Sequence, residues 1–480
     1  MSLLDNASRT ATVPWYERSS EPGLSADLEP SPAGPVTEGE PAGRPVPHVG
    51  AGRTLQTIRL GMDIGGTFFK AQREAGEVFS LNTRFDPRPV VVVSHPDHIK
   101  SLVTQPDLAP SVTGESPIRP IVGLSVLTAN GAQHRRQRKL LMPPFHGDAI
   151  AAYREQIREA TARELDSWPT GTPFALAPAA QAITLDVIMA GIFGIEGELT
   201  DAEAHLRERI LWLLRMSMTR VALVGELINA GRQEPVGVLK WALASVDRAV
   251  YAVIRQRRAE HVPGERNDIL SLLLDARDDE GNGLTDEELR NELLTLVLAG
   301  HETTANTIAW AFERLLRHPE AYGRLRDAVR SDDDSADQGD YVDATIHEAM
   351  RVRPVVPVIG RRATVPWQLG DVVAPKGSRI LVGIVLTHHR PDVYPDPFRF
   401  NPDRFLGVKP STSEWLPFGG GNRRCLGAAL AMEEMRIVLA EIARRTDLVV
   451  TDDTPERPAH RNVTMIPGQG GRVVATSVTR

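Results

Sequence analysis

One cysteine in 480 residues excludes any intramolecular disulfide, and with it any zinc or iron–sulfur centre built from several thiolates. Aromatic residues make up only 5% of the chain, and the compact basic run HRRQRK (134–139) has none interleaved. With a formal net charge of −7, nothing draws the molecule towards nucleic acid. Long apolar runs are missing too: LLTLVLAG (293–300) falls far short of the roughly 20 residues that span a bilayer. The opening MSLLDNASRTATVPWYERSS has no basic region followed by an apolar one, so no signal peptide is read. These absences lead to the expectation of a soluble, cytoplasmic, monomeric protein without a transmembrane anchor.

What is present divides the chain in two. Residues 1–52 are crowded with Pro, Gly, Ser and Glu, and the expectation is a disordered tail. From Arg53 to residue 480 the pattern is that of a single domain, mainly α with a small β region. EVFSL (77–81), PVVVVSH (89–95) and RILVGIVL (379–386) read as strands. ITLDVIMAGIF (183–193), ILSLLLDA (269–276) and the segment after Thr285 carry helical apolar spacing. Thr285 with Glu288 forms a capping box. MDIGGTFF (62–69) is similar to the phosphate loop of sugar-kinase and actin-like ATPases. That loop belongs between strands, and here a helical stretch follows, so phosphate binding is not expected.

FGGGNRRCLG (418–427) holds the lone cysteine. A lone buried cysteine is often only a small hydrophobe, but this one has unusual company. Gly419, Gly420 and Gly421 let the backbone pass close to something bulky. A following helix amino terminus and the neighbours Arg423 and Arg424 favour an anion, which would lower the thiol pKa. A thiolate in such a cradle is a nucleophile or a metal ligand, and haem is the centre that needs only one from the protein.

Three other stretches carry possible chemistry. AGHETT (299–304) places Gly300, Glu302 and Thr303 in the middle of a long apolar helix, where a buried carboxylate needs a partner. EAMR (348–351) sets Glu348 and Arg351 on one helical face, and RFNPDRF (399–405) follows with Arg404. His134 and Arg138 lie four apart on one face of the basic run.

FGGGNRRCLG fits F-x-x-G-x-R-x-C-x-G at Phe418, Gly421, Arg423, Cys425 and Gly427, and the chain resembles the cytochrome P-450 family, soluble bacterial type, from about residue 60 onward. AGHETT fits that family's [A/G]-G-x-[D/E]-T-[T/S], and the E-x-x-R and P-x-R-F segments follow in order. The resemblance implies a triangular, mostly α haem domain and a monooxygenase that uses dioxygen and two external electrons to hydroxylate a hydrophobic small molecule. It implies heme b (iron protoporphyrin IX) with Cys425 as axial iron ligand and Phe418, Gly421 and Gly427 shaping its loop. Arg423, His134, Arg138 and Arg361 would contact the haem propionates, with Arg362 as the fallback for Arg361. The other basic residues of 134–139 would form a docking surface for the electron donor. Glu302 and Thr303 would deliver protons, and Glu348, Arg351 and Arg404 would form a structural cluster. Val297, Ala299, Gly300, Val355, Val356, Val358, Ile359 and Met465 would line the substrate pocket. With no reductase fused, the electrons would come from a ferredoxin, or a flavodoxin, with its reductase.

Overall fold

The Thr285 hydroxyl accepts from the amide of Glu288, and the Glu288 carboxylate accepts from the amide of Thr285. This closed capping box starts a helix that runs unbroken over Asp286–Leu315. In the computed structural model, residues 14–18, 28–36, 43–50, 52–84, 86–145, 147–195, 199–217, 228–229, 232–331, 336–461 and 463–479 are described, and about 53% of the chain is helical.

The long helix packs along Leu176–Phe193. That second helix is apolar and long enough to cross a membrane, yet 67% of it is buried inside the protein; it is a core helix. A Cβ on Gly300 would lie 2.7 Å from Ile188 Cδ1, so glycine permits the close approach of the two helices. Asp148–Asp166, Pro319–Arg330, Ala336–Val352 and Ala428–Arg445 complete one apolar core around the carboxyl-terminal half of the long helix. Asp201–Ser217, Gly237–Glu260 and Ile269–Asp275 build a second core against its amino-terminal half.

The β region lies to the side. Phe79–Leu81, Val90–Val93, Arg379–Gly383 and Val358–Arg362 form a four-stranded sheet in that order. Thr446–Val450, Arg472–Val478 and Pro173–Ala175 form a second sheet, and Pro458–Arg461 with Thr464–Pro467 a hairpin. RILVGIVL is strand only as far as Gly383; Ile384–Thr387 turns into a short helix. There the Thr387 hydroxyl bonds back to the Gly383 carbonyl and across to that of Ser94.

The expected 1–52 tail needs correction over its described residues. Ala33–Pro35 pairs antiparallel with Trp367–Leu369, and Arg44–Pro45 pairs parallel with Val372–Ala374. Both add edge strands to a sheet, which takes main-chain hydrogen bonds and no apolar side chains, so composition did not betray them. Trp15 is buried outright. Residues 1–13, 19–27, 37–42 and 51 lie outside the described residues.

The DIGGT stretch is helical as expected. Asp63 caps Ile64–Ala75 by accepting from the Gly66 amide, and a Cβ on Gly65 would lie 2.5 Å from the Trp15 ring. Its glycines serve packing, with no strand on either side.

Candidate functional site

Cys425 lies between a 3-10 turn at Gly421–Arg423 and the helix Ala428–Arg445. The loop is fixed by its glycines and by one main-chain bond. Gly419 and Gly421 have φ of 66° and 64°, in the left-handed region that favours glycine. A Cβ on Gly421 would also collide with the carbonyl of Val103. The Cys425 amide donates to the Phe418 carbonyl at 2.8 Å, closing the loop, and the Phe418 ring packs edge-on against Trp415.

Burial pushes the Cys425 thiol pKa up, against the Gly427 amide and the Arg138 and Arg424 charges that pull it down. This corrects the sequence expectation of a depressed pKa: without a metal, desolvation outweighs the cradle. The side chain is nevertheless accessible. Ala299, in a largely buried helix, is exposed as well. Surfaces open at such depth line internal space.

Four basic groups surround that space. His134 is held neutral, its pKa near 4, by burial and then by Arg423, Arg138, Arg135 and Arg361. Arg361 is pulled down to about 10 by burial, and Arg423 to about 10 by burial, Arg361 and Arg138. Burial and then Arg424 lower the Arg138 pKa, and the neighbouring Cys425 opposes them. His134 Nδ1 and Arg361 Nη2 are buried without a hydrogen-bond partner. Unpaired donors in a cluster of like charge are costly unless an anion joins them, and a porphyrin carrying two carboxylates above an accessible thiol fits. Arg362 is committed elsewhere, to Glu115 at 2.6 Å and Asp86 at 2.9 Å, which leaves Arg361 as the arginine facing the cluster. Arg423 also ties the loop down, donating to the carbonyls of Val126 and Ala129 and to Asn130 Oδ1.

The rest of the basic run does not form an open positive surface. Arg135 faces Asp107, Arg136 is clamped at 2.7 Å by both Asp278 and Glu288, and Lys139 meets Asp279. The expectation that these residues offer a docking surface is corrected: acidic neighbours distant in sequence neutralise them.

On the long helix, the Thr303 hydroxyl donates to the Ala299 carbonyl at 2.7 Å. Glu302 Oε1 accepts from Arg461 Nη1 at 3.3 Å and from the Thr464 hydroxyl at 3.2 Å. Burial raises the Glu302 pKa, opposed by these two partners. Neither partner was foreseen; no motif marks a hairpin residue more than 150 positions away.

Beneath the loop, Glu348 and Arg351 are fully buried and doubly bonded, at 2.7 and 2.8 Å. Arg404 Nε adds a third contact to Glu348 at 3.1 Å. The sequence also missed His388. Its Nε2 accepts from the Leu416 amide at 2.9 Å, so Nδ1 carries the proton and donates to the Arg351 carbonyl at 3.1 Å. Glu348, Arg351, Arg404 and His388 thus form one network that ends two residues before Phe418.

The expected pocket residues separate. Val356, Val358, Ile359 and Gly300 are partly open and Ala299 is exposed. Val297 and Met465 are packed in apolar cores and Val355 is buried. These three present almost no accessible surface, unlike the other expected pocket residues.

A family model described as Cytochrome P450 matches residues 41–473. The chain belongs to the cytochrome P450 family. It is 39% identical over 391 residues to putative cytochrome P450 137 of Mycobacterium tuberculosis, covering 80% of each chain. It is 37% identical over 414 residues to putative cytochrome P450 135B1 of Mycobacterium bovis, covering 84% of this chain and 85% of that one. Among solved structures, a retinoic acid-bound cyanobacterial CYP120A1 shares the fold, with a TM-score of 0.74 at 23% identity, covering 90% of this chain and 100% of that one. The cytochrome P450DA heme domain superposes with a TM-score of 0.73 at 23% identity, covering 91% and 98%. The chain is a haem-thiolate monooxygenase of this family with heme b as its cofactor. The family draws electrons from a redox donor and oxidises hydrophobic molecules.

Proposed function

We propose that Cys425 holds the haem iron, with the porphyrin propionates received by His134, Arg138, Arg361 and Arg423. The observation that carries this reading is an accessible thiol deep in the protein beside basic groups with unpaired buried donors. When bound, haem supplies the dioxygen-activating chemistry, which a thiolate ligand favours by donating electron density. The protein's own residues do the rest. Glu302, poised between burial and Arg461, takes up and releases protons, and the Thr303 hydroxyl relays them. Val356, Val358 and Ile359 present apolar surface to a hydrophobic small molecule and exclude water from it. The role of Glu348, Arg351 and Arg404 is to hold the cysteine loop. A ferredoxin, or a flavodoxin, with its reductase supplies the electrons in the cytoplasm. The exposed Arg424, beside Cys425, is the open positive charge such an acidic donor would meet.

The test is the spectrum of the purified, reduced protein under carbon monoxide. A strongly red-shifted Soret band is expected, and it should vanish in Cys425→Ala. Retention of that band in the variant would remove Cys425 from the iron.

A further inference from the structure

The monooxygenase site leaves Trp15 unused, although this indole is only 3% exposed in a segment whose composition reads as a polar tail. Its Nε1 donates to Asp63 at 3.1 Å, and its ring meets Phe69 and His389 with centroids 5.8 Å apart in both cases. Gly65 makes room for it. One further neighbour is more telling. The Arg353 guanidinium lies 5.2 Å from the Trp15 ring centroid and 5.6 Å from that of Trp310, stacked between two indoles. Arg353 Nη2 donates to the Tyr16 carbonyl at 2.7 Å and Nη1 to the Val352 carbonyl at 2.9 Å. A buried guanidinium held by ring faces and carbonyls depends on each of them, because water cannot replace a lost partner.

The chain of contacts continues towards the substrate wall. Trp310, on the same helix as Glu302 and Thr303, donates its Nε1 to the Met465 carbonyl at 3.1 Å. The Met465 amide donates to the Val355 carbonyl at 2.7 Å. Val355 directly precedes Val356 and the strand Val358–Arg362, which bear the partly open apolar residues. Arg353 is two residues upstream of Val355.

The geometry points to Trp15 as a positioning residue of the substrate site. It closes the socket of Arg353 and, through Arg353 and Trp310, fixes the main chain of Met465 and Val355 behind the wall at Val356–Ile359. This inference rests on the proposed placement of that wall in the substrate site. The amino-terminal segment is then a brace for specificity, acting from outside the haem pocket.

The experiment uses the full-length, haem-loaded protein and its Trp15→Ala and Trp15→Phe variants. Hydrogen exchange at Met465 and across 355–359 should accelerate about tenfold in Trp15→Ala and return towards the parent in Trp15→Phe. Optical titration with 4-phenylimidazole, which ligates iron and needs apolar space beside it, should weaken about tenfold in Trp15→Ala. Imidazole, which needs little of that space, should change less than about twofold. If Trp15→Ala does not load haem, Trp15→Leu carries the same test, since it fills the socket without a ring face for Arg353. Unchanged exchange, or equal weakening of both ligands, overturns the role of Trp15 while leaving the haem site intact. A parent protein without the red-shifted carbon monoxide band overturns the haem-thiolate placement, and this inference falls with it.

Discussion

At the scale of the residue, Glu302, the proposed proton carrier, is tuned by two opposing effects. Burial raises its pKa while the Arg461 guanidinium, 3.3 Å away, pulls it down. Removing the cation leaves desolvation unopposed. Arg461→Gln should therefore raise the Glu302 pKa further, displacing the pH profile of product formation to higher pH. An unshifted profile would separate Arg461 from the proton path. Thr303→Ala should leave the carbon monoxide spectrum intact and lower product per electron consumed by about tenfold or more; unchanged coupling would exclude the hydroxyl. Glu302 and Thr303 were legible because their neighbours along the helix share the motif. Arg461 was not, because a salt bridge between residues 159 apart leaves no mark on local spacing.

At the scale of the element, Glu348 and Arg351 of Ala336–Val352 bond Arg404 and the His388 main chain, and the His388 ring takes the Leu416 amide just before the cysteine loop, which we propose they hold. Removing one member strands the others without water. Arg351→Leu should cost about 3–5 kcal/mol, seen as a lowered denaturant midpoint and poor haem loading. Glu348, Arg351 and Arg404 could be found only through the family resemblance, since E-x-x-R alone occurs on any surface helix. His388 could not, since its value lies in joining the Arg351 carbonyl to the Leu416 amide, a contact made by the fold. The same division holds for whole elements. The helix from Asp286 announced itself by its capping box and apolar middle, whereas Ala33–Pro35 and Arg44–Pro45 pair through main-chain groups that every residue carries. Thr285→Ala should accordingly destabilise the protein by about 1 kcal/mol, measurable as a shift in denaturant midpoint at constant slope.

At the scale of the whole molecule, buried titratable groups set the pH of greatest stability. Burial holds His98 and His301 near pKa 4 and His388 near 3, against an ordinary 6.5, and lowers His389 as well. Below about pH 6.5 these imidazoles gain protons on unfolding, so acid favours the unfolded chain and stability rises with pH up to that value. Glu292 and Glu434 oppose them, since burial pushes both from 4.5 to about 8. Unfolding releases their protons, and that part of the stability is lost as pH climbs from 4.5 to 8. The lowered imidazoles, which also include His134, His318, His347 and His460, outweigh the raised carboxyls, Glu302 among them, below 6.5; above it the imidazoles are neutral in both states and the raised carboxyls act. Denaturant midpoints at constant ionic strength should therefore peak near pH 6.5 and fall towards both pH 5 and pH 8. The alkaline fall should flatten in the Glu292→Gln, Glu434→Gln double variant, because an amide releases no proton on unfolding. A fall of equal steepness in that variant would assign the alkaline loss to other groups.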